Sequence, residues 1–155
     1  GPIEMMGRAK VIGDRVTFID GNNLMMQRKV TKGRELLAEK LAGVKGSKIV
    51  LVFDGKKGEE ESSSGIDPEV VVTFGGNEHG DDRVSADEWI IAQLQETVAT
   101  TGEVQVVTAD KELRRVCQRT SAKTINPVKF WRRYLPRLKG LKSDYSNAPK
   151  ENDEW

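Results

Sequence analysis

The chain carries a single cysteine, Cys117, and a single histidine, His79. One thiol excludes an internal disulfide and any cysteine pair for zinc, and it agrees with a reducing compartment. With no second histidine to join it, His79 in its glycine-rich loop reads as a surface residue rather than a ligand or base. Cys117, at an inward helix position, reads as a small core residue. No apolar run nears the length of a membrane span or a signal-peptide core, so a soluble protein without membrane contact is expected. Internal repeats are absent.

What is present bounds the architecture. At 155 residues and 37% apolar content, the chain suits one domain with a real core rather than two. The opening "GPIEMM" (residues 1–6) looks like a protease-cleavage remnant ahead of a natural start near Met5 or Met6. A globular domain is expected over 7–139 and a polar, flexible tail over 140–155. Bacterial cytoplasm and organelle stroma, such as that of the chloroplast, are both open as locations.

Strands alternate with helices along the domain. Val16 to Asp20 reads as a short buried strand. Thr31 to Leu41 reads as a helix with Leu36, Leu37 and Leu41 on one face. "KIVLVFD" (Lys48 to Asp54) is a continuous apolar run that a doubly covered strand should show. "GKKGEEESSSGIDP" (Gly55 to Pro68) has too little apolar content to pack and reads as a mobile loop. "EVVVTF" gives a third strand. "SADEWIIAQLQETVA" gives a helix, opened by Ser85 and Glu88 at capping-box spacing. "EVQVVTAD" is a fourth strand, "KELRRVCQRT" a helix, "KTIN" a fifth strand, and Pro127 a first-turn residue for a last helix. This order predicts a mainly parallel sheet of four to five strands with helices on both faces, in which ligands bind at the carboxyl ends of the strands.

Asp20, Asp54 and Asp110 all fall on that edge, and Asp87, in the first turn of the capped helix, can face the same crevice. Any one of them alone is an ordinary cap or turn former. Four on one edge would repel and raise one another's pKa values unless a cation neutralised them. An all-oxygen set selects Mg²⁺ or Mn²⁺. Such an ion suits phosphodiester hydrolysis. Asp82, Asp81 and Glu88 are further carboxylates, either extra ligands or solvated charges, with Asp82 the better placed of the loop pair. Asn22 and Asn23 follow Gly21; a positive-φ turn is the simpler reading of Asn22.

A second constellation is electrostatic. From Lys111 to Lys142 eleven basic residues, among them Arg114, Arg115, Lys129, Arg132, Arg133 and Arg137, face one acid, Glu112. Phe130, Trp131 and Tyr134 are interleaved with them, although Phe130 and Tyr134 read more simply as core. Basic side chains release counterions from a phosphate backbone and aromatics stack on unpaired bases, so this stretch suits single-stranded nucleic acid.

The ordered series "FIDGNNL", "VLVFDG", "VVVTF…SADEWI", "VVTAD" and "TINPVKFW" resembles the YacP-like branch of the NYN domains, relatives of the PIN nucleases, over about Val16 to Leu135. The resemblance implies a PIN-like three-layer α/β/α sandwich. It also implies a metal-dependent endoribonuclease using Mg²⁺ or Mn²⁺, acting in RNA processing or decay. Its implied partner is single-stranded RNA, messenger or ribosomal, in a setting that includes the ribosome. Carried over by position, the acidic set is Asp20, Asp54, Asp87 and Asp110, with Asn23 as hydrogen-bonding orienter and Thr108 as the hydroxyl before the last aspartate. Asp20, Asp87 and Asp110 would be metal ligands. Many relatives carry an aromatic at the position of Asn22, and a Glu where this chain has Val84 and Ser85, so Asp82 or Glu88 would complete the metal set. A non-catalytic RNA-binding adaptor with a degenerate site is the alternative. A haloacid-dehalogenase-type phosphatase ranks below both, because that chemistry needs a second Asp where Asn22 stands.

Overall fold

The computed structural model describes residues 15–134 apart from Lys29. Five parallel strands and one antiparallel edge strand form a single sheet. The strands are β1 (Arg15–Asp20), β2 (Lys48–Phe53), β3 (Ser62–Ser64), β4 (Glu69–Val72), β5 (Glu103–Val107) and β6 (Lys123–Ile125). The helices are α1 (Gly21–Met25), α2 (Arg34–Leu41), α3 (Ala86–Thr100), α4 (Lys111–Arg119) and α5 (Pro127–Tyr134). The strand order is β3-β4-β2-β1-β5-β6, so β1 lies inside the sheet with β2 and β5 beside it.

Strand residues alternate between two cores because successive side chains leave opposite faces of a strand. Ile19, Ile49, Leu51 and Phe53 pack with Leu24, Leu37, Leu41, Phe130 and Trp131 on the side of α1, α2 and α5. Phe18, Val50, Val52 and Val106 pack with Ile90, Leu94, Leu113 and Cys117 on the side of α3 and α4. Both faces are therefore covered, which explains why β2 carries no polar alternation. The result is a three-layer α/β/α sandwich.

Three expectations need correction. The segment read as a mobile loop contains a sixth strand, β3, which pairs antiparallel with β4 through Ser62↔Val72 and Ser64↔Val70. All three of its serines are exposed. Its ladder is held by backbone bonds and by Ser63 Oγ donating to Glu69 at 2.7 Å, and an edge strand of that kind has no apolar periodicity to read. Helix α2 begins at Arg34 rather than Thr31, because Gly33, at φ +104°, stands outside the helical region. Leu36 is 54% exposed; Leu37 and Leu41, four apart, form the buried stripe, and Leu36 lies one helical step, about 100°, around from Leu37.

Elsewhere the elements lie where the sequence places them. Ser85 and Glu88 make a reciprocal capping box, with Glu88 N donating to Ser85 Oγ at 3.1 Å and Ser85 N to Glu88 Oε1 at 2.9 Å. Pro127 opens α5, whose first turn is capped by Asn126 Oδ1 accepting from Val128 N at 2.7 Å. The turns beyond β2 and β4 lie backbone against backbone. A Cβ on Gly55 would stand 1.9 Å from Thr73 O, and one on Gly75 would stand 1.7 Å from Lys56 O.

Candidate active site at the carboxyl edge of the sheet

The last residue of β1 is also the cap of α1. Asp20 Oδ1 accepts from Asn23 N at 3.1 Å, which turns the chain directly from strand into helix. Gly21 is needed there because α1 lies on Phe53, and a Cβ would sit 2.5 Å from that ring. Asp54, one residue past β2, accepts from Ala86 N at 2.6 Å and so holds the first residue of α3. Asp110 caps α4, accepting from Leu113 N at 2.8 Å. Each of these three carboxylates is thus anchored through Oδ1. Asp87 follows Ala86 in the first turn of α3.

The two asparagines of "DGNN" brace this edge. Asn22 lies in α1 at ordinary helical backbone angles, not in a positive-φ turn. Its Oδ1 accepts from Asp54 N at 2.8 Å. Asn23 Oδ1 accepts from Ala109 N at 2.8 Å, and the fully buried Thr108 accepts from Asp110 N at 3.0 Å. One short segment after the inner strand therefore reaches the ends of both neighbouring strands. Carboxylates separated by many residues are brought to one edge as a consequence.

The four aspartates act on one another. Burial raises the pKa of Asp20, assisted by the charges of Asp54 and Asp110, while hydrogen bonds from Asp87 and from Asn23 N work against the rise. Burial also pushes Asp87 up, to about 8, with the hydrogen bond to Asp20 and the charges of Asp20, Asp110 and Asp54 adding to it. Asp87 is thus held protonated at neutral pH, and its hydrogen bond with Asp20 links the titration of the two carboxyls. No N–H or hydroxyl donor among the described residues serves the buried Oδ1 of Asp87.

A hard divalent cation is the group that such an oxygen set would take. The unserved Asp87 oxygen and the two raised carboxyls mark negative charge that a cation would relieve. Yet no three Asp, Glu, His or Cys side chains among the described residues stand in an arrangement that could hold a metal ion. Ligand oxygens must lie about 2.1 Å from a Mg²⁺ ion. The donor chemistry fits such an ion, and the carboxylates would have to draw together around it.

The other candidates fall elsewhere. Asp82 lies in an exposed turn at φ +64° and is not among the charges acting on Asp20 or Asp87. Glu88 is occupied in the capping box. His79 is exposed and Cys117 buried, and burial raises the thiol to about 11. Arg115 and Arg133 are exposed, and Arg114, Lys129 and Arg132 are half-buried; Arg137 lies outside the described residues, as do the expected remnant and tail. The interleaved aromatics are not available for stacking: Phe130 is 0%, Trp131 1% and Tyr134 8% exposed. They are the core of α5, with Phe130 and Tyr134 rings 4.7 Å apart.

Sequence reasoning missed one device. Arg34 of α2 donates to both oxygens of Glu59, at 2.8 and 3.1 Å, and to the carbonyl of Asp54 at 2.9 Å, while its guanidinium lies 5.8 Å over Phe53. These bonds lower Glu59 to about 2. They also fix the chain just past Asp54. No local pattern links residues 34, 54 and 59.

The fold and the acidic carboxyl edge define a PIN-like α/β protein. A family model for the YacP-like NYN domain matches residues 16–154, and the chain belongs to that family of nuclease-like, RNA-related folds, which generally work with divalent metals. Among solved structures it is similar to Rae1 (YacP) from Bacillus subtilis, with a TM-score of 0.62 and 20% identity over 83% of this chain and 78% of that one. The W164L mutant of the same protein gives 0.61 and 17%, over 83% and 79%. No curated protein sequence matches.

Proposed function

We propose that the protein is a metal-dependent endoribonuclease that hydrolyses phosphodiester bonds in single-stranded RNA, in RNA processing or decay. One observation carries the reading: carboxylates from four distant segments meet at one sheet edge, where burial and one another's charges raise Asp20 and Asp87. A structural cap has no use for such crowding, which costs stability, whereas a cation site does. Family membership adds the nuclease-type fold.

Asp20, Asp87 and Asp110 would hold Mg²⁺ or Mn²⁺, with Asp54 as a further ligand directly or through water. When bound, the ion would lower the pKa of a water and steady the departing oxygen. The chain's own residues supply position. Asn22 fixes the backbone of Asp54, and Asn23 and Thr108 fix that of residues 109 and 110. With a cation present Asp87 would give up its proton, so binding the ion should release about one proton well below pH 8 and none well above it. Arg115 and Arg133, exposed on α4 and α5, would hold flanking phosphates as screened charges, with the half-buried Arg114, Lys129 and Arg132 adding to the field.

The test is incubation of unstructured RNA with the protein, with and without Mn²⁺ or Mg²⁺, beside Asp20→Asn. Cutting by the wild type alone, and only with metal, is expected. The second reading, a non-catalytic RNA-binding adaptor, is favoured by the spread of the carboxylates, no three of which stand ready for an ion among the described residues. Divalent-ion titration separates the two. An ion that binds the native state raises the melting temperature by mass action, and that rise should vanish in Asp20→Asn; an adaptor shows neither effect.

A further inference from the structure

A groove of about 610 Å³ opens beside the acidic edge, between α1, the start of α2 and the chain after β2. Asn22 and Asp54 line it, so it is continuous with the candidate site. Its volume lies in the range of small-molecule sites, about 300 to 1,000 Å³. Met25 and Leu36 supply apolar walls. Among the described residues, Leu36 is one of three large apolar side chains left exposed, at 54%.

The charges of the groove balance. Arg34 and Lys56 are offset by Glu35 and Asp54 within the lining, and Arg34 is already bound by both oxygens of Glu59. A phosphate site would present unneutralised cations. A balanced, partly apolar groove instead suits a flat neutral group with polar edges. Arg34 sharpens this: three hydrogen bonds and the Phe53 ring hold its guanidinium in place, so a base stacking on it meets an already ordered plane, with little rotamer entropy left to lose.

Resting on the RNA reading above, we propose that this groove takes one unpaired base of the RNA strand, next to the acidic edge where the strand would be cut, with Arg34, Met25 and Leu36 as its contact surface. The base would set the register of the strand at the site, and the basic helices would hold more distant phosphates.

The test uses the Asp20→Asn protein, so that RNA stays intact, and two labelled strands: an unstructured oligoribonucleotide and a ribose-phosphate strand of equal length lacking bases. Leu36→Ser should weaken binding of the first about tenfold and of the second less than about twofold. Equal loss on both strands, or none, overturns the proposal. Irradiating a 4-thiouridine-substituted strand in the complex should give adducts at Met25 or Leu36; adducts confined to α4 and α5 would also overturn it. If the wild type cuts no RNA with either metal, the nuclease reading falls, and the binding and crosslinking measurements still decide the groove.

Discussion

The acidic edge and the basic face meet on helix α4, and they are built in opposite ways. Asp110 at the start of α4 is half-buried and anchored by Leu113 N, and its strand end is tied to Asn23 of a segment more than eighty residues away. Arg115, one turn on, is exposed, and its bond is to Glu112 at 2.7 Å, on the same helix. The acids are few, distant in sequence, rigidly placed and electrostatically costly to one another. The bases are many and close in sequence, and Arg115 and Arg133 among them are exposed to solvent. Rigid placement is what bond-breaking chemistry needs, since small misplacements cost rate. Holding a polyanion needs only density of charge.

The sharpest way to break this comparison is at the edge. Asp20→Asn should reduce metal-dependent RNA cleavage by at least about a hundredfold while leaving RNA binding within about twofold, as measured by single-turnover cleavage and fluorescence anisotropy. If affinity fell with rate, the two regions would not be separate devices.

Next in size come the asparagine braces. Asn22→Ala leaves the half-buried Asp54 N without its acceptor and should cost about 1 to 2 kcal/mol, with cleavage down about tenfold at a temperature where the variant is fully folded. Ala109 is exposed, so water can replace Asn23, and Asn23→Ala should cost under about 1 kcal/mol. Denaturant melts rank the two. A variant that lost stability but cut RNA at the native rate would reduce the braces to structural caps.

These braces also show where sequence reading stops. The acids themselves were legible because each ends an apolar run or opens a helix, and the parallel order fixes which edge they share. Asn23 was carried by family resemblance alone. Asn22 was misread as a turn former, since its real partner, Asp54 N, lies 32 residues on and leaves no local trace. Arg34 and Glu59 are hidden for the same reason. Strand β3 was illegible because exposed serines paired only through backbone resemble a loop. Trp131 had the opposite problem: its basic neighbours suggested a binding surface, but only three-dimensional packing shows that the ring points inward.

A smaller effect follows from the raised Asp87 carboxyl. Burial, then Asp20, raises Asp87 from 3.8 to about 8, so the native state keeps a proton that the unfolded chain has released. Stability should therefore fall as pH rises from about 4 to 8, because over that window the folded form binds more protons. Asp87→Asn cannot titrate and should flatten the slope, leaving the variant on the order of 2 kcal/mol more stable than wild type at pH 8 without metal. Urea melts at several pH values measure this. An unchanged slope in Asp87→Asn would mean that the crowding at the edge is relieved in solution.

The smallest effect on the fold is expected at the basic face. Arg115 and Arg133 are exposed, and losing the Arg115 pair with Glu112 should cost under about 1 kcal/mol. Replacing both by Gln should leave the melting temperature nearly unchanged and weaken RNA binding a few-fold. The diagnostic is the salt dependence: each phosphate contact on a single strand contributes about 0.7 to the slope of log affinity against log salt, so the double variant should be shallower by about 1.4. A weakened but equally steep line would mean that these arginines do not touch phosphate, and the division between a rigid acidic edge and a diffuse basic face would lose its second half.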